Sequence, residues 1–393
     1  MTSGYGSTAD PDMSDPYELR SLDVEHARTR PGAKWQLHSA EYAAWVADMD
    51  FAIAPVIRDR LIEVARTDVG YPVWGGKRGV SPAKIAFVDR MTSRYRWTPQ
   101  PAWLYEMSDV VQCVRVAVHH LTAPGDRIVL HTPAYHPFLD TIESMQRRIV
   151  RVPAPFDYDA LDAALAREPA QLLILCHPHN PTGHVFALPE LEHLAEIAAR
   201  HDLIVVSDEI HADLVHAPHD HVPFEALGPD VAARTITVTS ASKAFNLAGL
   251  RWAIMHAGCE DMRSAVDALP AHYFGAPNVM AVEATAAAWT LGDAWLESVR
   301  AVLDENRHAL VGLLAQHLPG VCYTPPEATY LAWLDCRQID LGDDPAATFR
   351  ELGVELSPGP QFGVEGTGFV RLNFATSPAI LAETVAAMGR IRS

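Results

Sequence analysis

From about residue 55 the chain alternates two kinds of hydrophobic pattern. Short unbroken apolar runs, rich in β-branched residues, stand at 127–131 (RIVLH), 172–176 (LLILC), 203–207 (LIVVS) and 235–239 (TITVT), each bounded by Pro, Gly or Asp. Runs of this length predict strands buried on both faces. Between the second and third, LPELEHLAEIAARH sets Leu191, Leu194, Ile197 and Ala198 at helical spacing on one face. Strand, helix and strand in succession predict an α/β fold: a largely parallel central sheet with helices on both faces. Further on the pattern changes. A long helix-like region at 294–318 leads into YLAWLD (330–335), a Gly-rich segment and VRLNFA (370–375), which reads as a smaller α/β unit. The expected division is a flexible N-terminal arm at 1–20, an N-terminal part of the small domain at 21–54, a large domain at 55–293 and the C-terminal small domain at 294–393. There is no internal repeat.

Composition narrows the class. The chain has 393 residues, enough for two domains, and its formal net charge of -18 argues against a general nucleic-acid binder, which needs a basic face. A local basic pocket for one small anion stays compatible with that charge. Cys113, Cys176, Cys259, Cys322 and Cys336 are odd in number, widely spread and without CxxC spacing, so buried or partly buried free thiols in a reducing cytoplasm are expected. No apolar run is long enough to span a membrane and no basic, then apolar, leader pattern is visible. His211, His216, His219 and His221 invite a metal reading, but their irregular spacing and Pro218 inside the run argue against a ligand helix. Surface histidines on a loop after a helix start at DEIH, and no metal, are expected.

Three of the predicted strands run directly into unusual polar segments: LLILC into HPHNPTG, LIVVS into DEIH, and TITVT into SASKAFNLAGLR. Taken singly, NPTG is an ordinary turn, an Asp after a strand is a common helix cap, and a lone Lys is commonly solvated. Parallel strands, however, would bring Asn180, Asp208 and Lys243 to one sheet edge, where open parallel sheets bind ligands. One chemistry uses all of them. Pyridoxal phosphate needs an amine for its aldehyde, a carboxylate opposite its ring nitrogen, a donor near its ring hydroxyl, and donors plus a cation around its phosphate. Lys243, Asp208, Asn180, and then Ser240, Ser242 and Arg251 supply these in that order.

The motifs resemble those of fold-type I pyridoxal-phosphate enzymes of the class I/II aminotransferase superfamily, over roughly residues 30–390. Within it the chain is most similar to the MalY/PatB branch of cystathionine β-lyase-like carbon–sulfur lyases. WVADMDF (45–51), GYP (70–72), TPAYHPF (132–138), HNPTG (179–183), DEIHADL (208–214), SKAFNLAGL (242–250), TYLAWLD (329–335) and FVRLNFA (369–375) carry the resemblance in order. It implies that Lys243 holds the cofactor as a Schiff base and shuttles the proton, Asp208 pairs with the ring nitrogen, and Asn180 reaches the ring hydroxyl. Tyr135 would stack on the ring. Arg251, Ser240, Ser242 and the Val110 and Val111 stretch would take the phosphate, and His211 would lie by the ring. Arg371 would clamp the substrate α-carboxylate with a bidentate fork, with Asp48, Tyr135 and Asn180 also on the substrate side. Tyr71 resembles the tyrosine that such homodimers lend to the neighbouring subunit's site. The alternative for Tyr71 and Tyr135 is an ordinary packed aromatic.

The chain departs from the wider family pattern at three places. His211 stands where many aminotransferases have tyrosine, and histidine there resembles the lyase branch. SDVVQ (108–112) replaces a small Gly- or Ser-bearing phosphate turn, so that Asp109 either points away or alters cofactor affinity and pocket shape. Ala328 replaces a usual glycine and predicts a narrower pocket wall. The implied activity is β-elimination from an S-substituted cysteine, giving a thiol, pyruvate and ammonia. The alternatives are transamination or a decarboxylating or oxidative step on a thioconjugate in specialised metabolism, and, from another class, a regulatory protein that retains the cofactor.

Overall fold

The computed structural model describes residues 15–74, 79–270 and 273–391. Its strands in chain order are β1 (Tyr42–Ala43), β2 (Leu104–Met107), β3 (Arg127–Thr132), β4 (Arg148–Pro153), β5 (Leu172–Cys176), β6 (Ile204–Asp208), β7 (Thr235–Thr239), β8 (Ala253–Ala257), β9 (Leu331–Asp335), β10 (Val354–Glu355), β11 (Ser357–Pro358) and β12 (Phe369–Asn373). The central sheet runs β2-β8-β7-β6-β5-β3-β4. The strands from β7 to β4 pair in parallel, while β8 lies antiparallel to both β7 and β2.

The unbroken apolar runs are strands because both sheet faces are covered. In β5, Leu172, Ile174 and Cys176 enter one core and Leu173 and Leu175 the other. In β6, Val206 and Val205 divide in the same way. The helix Leu188–Arg200 buries Leu191, Leu194, Ile197 and Ala198 on the second of these cores, and its first turn is closed by Glu190, which accepts from the Ala187 amide at 2.8 Å. Fully burying each such leucine or isoleucine contributes about 1.5–3 kcal/mol.

The last hundred residues form the helix Asp293–His317 and a three-stranded sheet β11-β12-β9, with the helix Pro378–Met388 packed on the long helix. The early chain joins this region: β1 pairs in parallel with β10. Part of the expected arm is ordered. Leu19 is buried, Asp15 accepts from the amides of Leu19 and Arg20, and Arg20 forms an ion pair with Glu305; the expected arm at 1–14 lies outside the described residues.

Two further expectations are corrected. Among the cysteines, Cys322 is exposed while the other four are buried. The histidines after β6 are mostly interior. The turn Ala212–Leu214 is a short 3-10 turn, not a helix start, and buried Leu214 anchors the chain so that Val215 bridges Ala328. His211, His216 and His221 are thereby buried, with only His219 exposed. His216 Nε2–H donates to the Thr329 carbonyl at 2.8 Å, and His221 Nε2 lies 3.0 Å from Glu209.

Candidate functional site

The carboxyl ends of β5, β6 and β7 meet as the sequence pattern predicts. Asp208 is the last residue of β6, in register with Cys176 on β5 and Val238 on β7. Beyond β5 the NPTG turn needs its glycine: Gly183 has φ of +72°, and a Cβ there would lie 2.3 Å from Pro326 Cβ. Asn180 is thus placed against the edge by a turn docked on the 326–328 segment. Beyond β7 a turn carries Ser240, Ser242 and Lys243. These three residues, with Ala47, Asp109, Val110, Val111, Tyr135, Asn180, Asp208, His211 and Arg251, line a cavity of about 310 Å³.

The electrostatics follow from burial. Lys243 Nζ donates to the Ala47 carbonyl at 2.8 Å. Desolvation lowers its pKa, the neighbouring Asp48 carboxylate opposes this, and Arg371 adds to it. Asp208 is pushed up to about 7 by burial, against the Ile210 amide that donates to its Oδ1 at 3.1 Å. His211 is held neutral, with a pKa of about 3, by burial and by the Lys243 and Arg371 cations, and its Nδ1 has no partner among the described residues.

Arg371 lies on β12 behind Asn180. Its guanidinium donates to Asn180 Oδ1 at 3.0 Å and to the Trp45 carbonyl and Ser357 Oγ at 3.1 Å each, while Nε is buried without a partner among the described residues. Desolvation draws its pKa down to about 10, and the opposing charges are those of Tyr135 and Tyr330, not a carboxylate. A buried, under-satisfied guanidinium is costly unless it awaits an anion.

Asp109 does not point away. It lines the cavity as the N-cap of the helix Val110–Leu121, where Oδ1 accepts from the Gln112 amide at 2.7 Å, and its other oxygen pairs with Arg251. Its charge is therefore met by a cation from the facing wall of the cavity. Ala328 does not narrow the cavity: its methyl packs between Val185 and Val215 in a small core of their own, because the bridge to Val215 turns it inward. Tyr71 lies wholly exposed, away from the cavity of this chain. Asp48 stands close enough to Lys243 to raise its pKa, although the carbonyl of its neighbour Ala47 makes the contact.

Backbone groups were invisible in the sequence pattern. Trp45, Val46, Ala47 and Asp48 each offer a carbonyl to a side chain around the site: Arg371, Asn373, Lys243 with Tyr330, and Lys34 with Asn373. The only signal was the segment WVADMDF itself, whose role is carried by main-chain oxygens that any residue has.

The residues present fit pyridoxal phosphate. A buried carboxyl that sits near 7 alone would be held ionised by a cationic ring nitrogen, and the partly desolvated lysine would offer a neutral amine to an aldehyde. A family profile described as "Aminotransferase class I and II" matches residues 107–388. Cystathionine β-lyase PatB of Bacillus subtilis is 34% identical over 86% of this chain and 89% of its own length. A cystathionine β-lyase of Corynebacterium glutamicum is 31% identical over 93% and 98%. The PLP-bound C–S lyase structure from Staphylococcus hominis is 29% identical, covers 95% of this chain and 98% of its own, and superposes with a TM-score of 0.86.

Proposed function

The chain belongs to the class I and II aminotransferase family, and from that premise we propose that it is a pyridoxal-phosphate-dependent carbon–sulfur β-lyase cleaving an S-substituted cysteine. The cofactor, when bound, accepts the electron pair left at the substrate Cα. Lys243 would hold its aldehyde, with Asp208 at the ring nitrogen, Asn180 and His211 at the ring hydroxyl, and Tyr135 on the ring face. The Val110 and Val111 amides, Ser240, Ser242 and Arg251 would take the phosphate. Arg371 orients the substrate α-carboxylate, with Asn180 fixing its fork and Asp48 and Tyr135 closing the substrate side. Lys243 Nζ takes the Cα proton, its lowered pKa leaving more of it as free amine. Loss of that proton breaks the Cβ–S bond, the electron pair leaves on sulfur as thiolate, and water converts the released three-carbon enamine to pyruvate and ammonia.

The observation that carries this reading is Arg371, a buried guanidinium with an unfilled Nε beside Asn180 on the edge that also bears Lys243. Relatives named cystathionine β-lyase along most of the chain support sulfur as the leaving atom. A panel of S-substituted cysteines, with every product identified by mass, tests it: thiol, pyruvate and ammonia should form in equal amounts without any keto-acid acceptor. Turnover only with a keto acid favours transamination, the second reading that the family description itself supports. A yellow protein inert to the whole panel points to a regulatory role.

The same reading includes a homodimer with shared sites. Tyr71, wholly exposed on this chain and flanked by exposed Val69 and Val73, would reach the neighbouring cofactor. A monomeric mass at micromolar concentration with full activity would sink this. The division at 21–54, 55–293 and 294–393 is kept, supported by the pairing of β1 with β10. Placement in a reducing cytoplasm is supported by five unbridged cysteines, and no helix among the described residues is long and apolar enough to cross a membrane.

A further inference from the structure

We propose that Asp109 and Arg251 form a latch across the phosphate end of the cavity, so that Asp109 competes with the cofactor phosphate and sets how tightly this protein holds its cofactor. The proposal rests on the pyridoxal-phosphate reading above and concerns a position where this chain departs from the family pattern.

Four amide N–H groups at a helix N-terminus have no partner within the helix. In the helix Val110–Leu121, Asp109 takes one of them, its side chain accepting from the Gln112 amide, while its carbonyl accepts the first bond of the helix from the Cys113 amide. The Val110 and Val111 amides are left, and both residues line the cavity. Ser108, a further hydroxyl on this wall, is turned into the same turn, where its amide and hydroxyl both donate to Gln112 Oε1 at 2.8 and 2.9 Å. The cap is closed on itself, and the Asp109 carboxylate sits at its mouth.

The facing wall is closed in the same way. Ser240 Oγ donates to the Trp252 carbonyl at 2.6 Å and lies 2.6 Å from Ser242 Oγ. Arg251, held at φ of +56° at the end of a 3-10 turn, pairs with Asp109 although 142 residues separate them. Arg251, the cation that the proposed function assigns to the phosphate, is thus already held by a carboxylate of the opposite wall, while Arg115, which also lines the cavity, donates to Thr141 Oγ1 at 3.2 Å. An incoming phosphate must draw Arg251 from Asp109, leaving two anions side by side, or share the guanidinium with it. Either arrangement weakens binding relative to an uncharged residue at 109. The cofactor is held in exchange with its surroundings, and occupancy follows its free concentration.

The test compares Asp109→Ser and Asp109→Asn with the unmodified protein, each stripped of cofactor and titrated with pyridoxal phosphate and, separately, with pyridoxal. Both replacements keep a side-chain oxygen for the Gln112 amide, so the helix cap is preserved. Binding is followed by the absorbance of the Lys243 adduct, and release by its decay with a scavenger present. Both variants should bind pyridoxal phosphate at least about tenfold more tightly and release it more slowly, with pyridoxal affinity unchanged. Arg251→Ala should cost more affinity in the Asp109→Ser background than alone, because the guanidinium is no longer shared. Equal or weaker phosphate affinity in both variants, or pyridoxal tightening to the same extent, would overturn the latch. Absence of any Lys243-dependent band in every form brings down the cofactor reading itself.

Discussion

Lys243, Asp208 and Arg371 are each held away from their ordinary ionisation by burial, and each displacement makes a measurable statement. Replacing Lys243 with Ala removes the group proposed to move the Cα proton, so turnover should fall by about 10²–10⁴-fold, measured as pyruvate release. Asp208 behaves oppositely to a paired carboxylate. Its folded pKa of about 7 lies above the unfolded value of 3.8, so the native state binds the extra proton between those pH values. Stability of the cofactor-free protein then falls as pH rises through that window, by up to about 1.4 kcal/mol per pH unit. Asp208→Asn should therefore raise the melting temperature of the cofactor-free protein at pH 8 and leave it unchanged below pH 4, while turnover drops by roughly 10²-fold or more. Near-normal turnover of that variant would show that Asp208 does not serve the ring nitrogen.

At the level of elements, the segment 45–51 acts as a strap whose carbonyls anchor the site. Asn373, buried at the end of β12, donates to the Val46 and Asp48 carbonyls at 2.7 Å each and accepts from the Ala375 amide. Asn373→Ala strands buried backbone groups and should cost about 2–3 kcal/mol by denaturant titration. Because the Trp45 and Ala47 carbonyls on the same strap hold Arg371 and Lys243, KM should rise as well. A stability loss with unchanged KM would mean that strap and site are uncoupled. The strand-ending segments were legible in sequence because parallel strands have one ligand-binding edge. The strap was not, since its work is done by main-chain oxygens and by partners some 200 to 330 residues away.

Across the whole molecule, a set of imidazoles is stored neutral in the interior. His131 and His211 are held near 3 and His216 near 4, while His177 and His179 lie well below the usual range, with burial the largest cause in each. Here the folded pKa lies below the unfolded value of about 6.5, so the unfolded chain binds more protons and stability falls as pH drops below 6.5. At pH 5 each ring contributes a loss of up to about 2 kcal/mol, which together outweighs the opposite trend of Asp208. The thermal midpoint should drop by several degrees or more between pH 7.5 and pH 5; a flat profile would show that these rings are hydrated or already paired in the folded state. The sequence pattern places His211, His216 and His221 on a surface loop, because histidine-rich, proline-punctuated segments usually lie there. The 3-10 turn and the Val215–Ala328 bridge fold that loop inward instead.

The sequence by itself determined the four strands β3, β5, β6 and β7, their parallel arrangement and the residues at three adjoining strand ends, because hydrophobic period and strand-end punctuation are local properties of the chain. It also carried Arg371 and the residues expected at the phosphate through motif likeness. Only the tertiary structure decided how charges from distant elements meet. Asp109 and Arg251 read as separate residues, one unwelcome and one useful, until packing of the helix Val110–Leu121 against the turn after β7 made them partners. The direction of the Ala328 methyl, the burial of the histidines and the carbonyls that hold Lys243 and Arg371 were settled in the same way. Pairings across a hundred or more residues depend on how elements dock, and no local pattern encodes that.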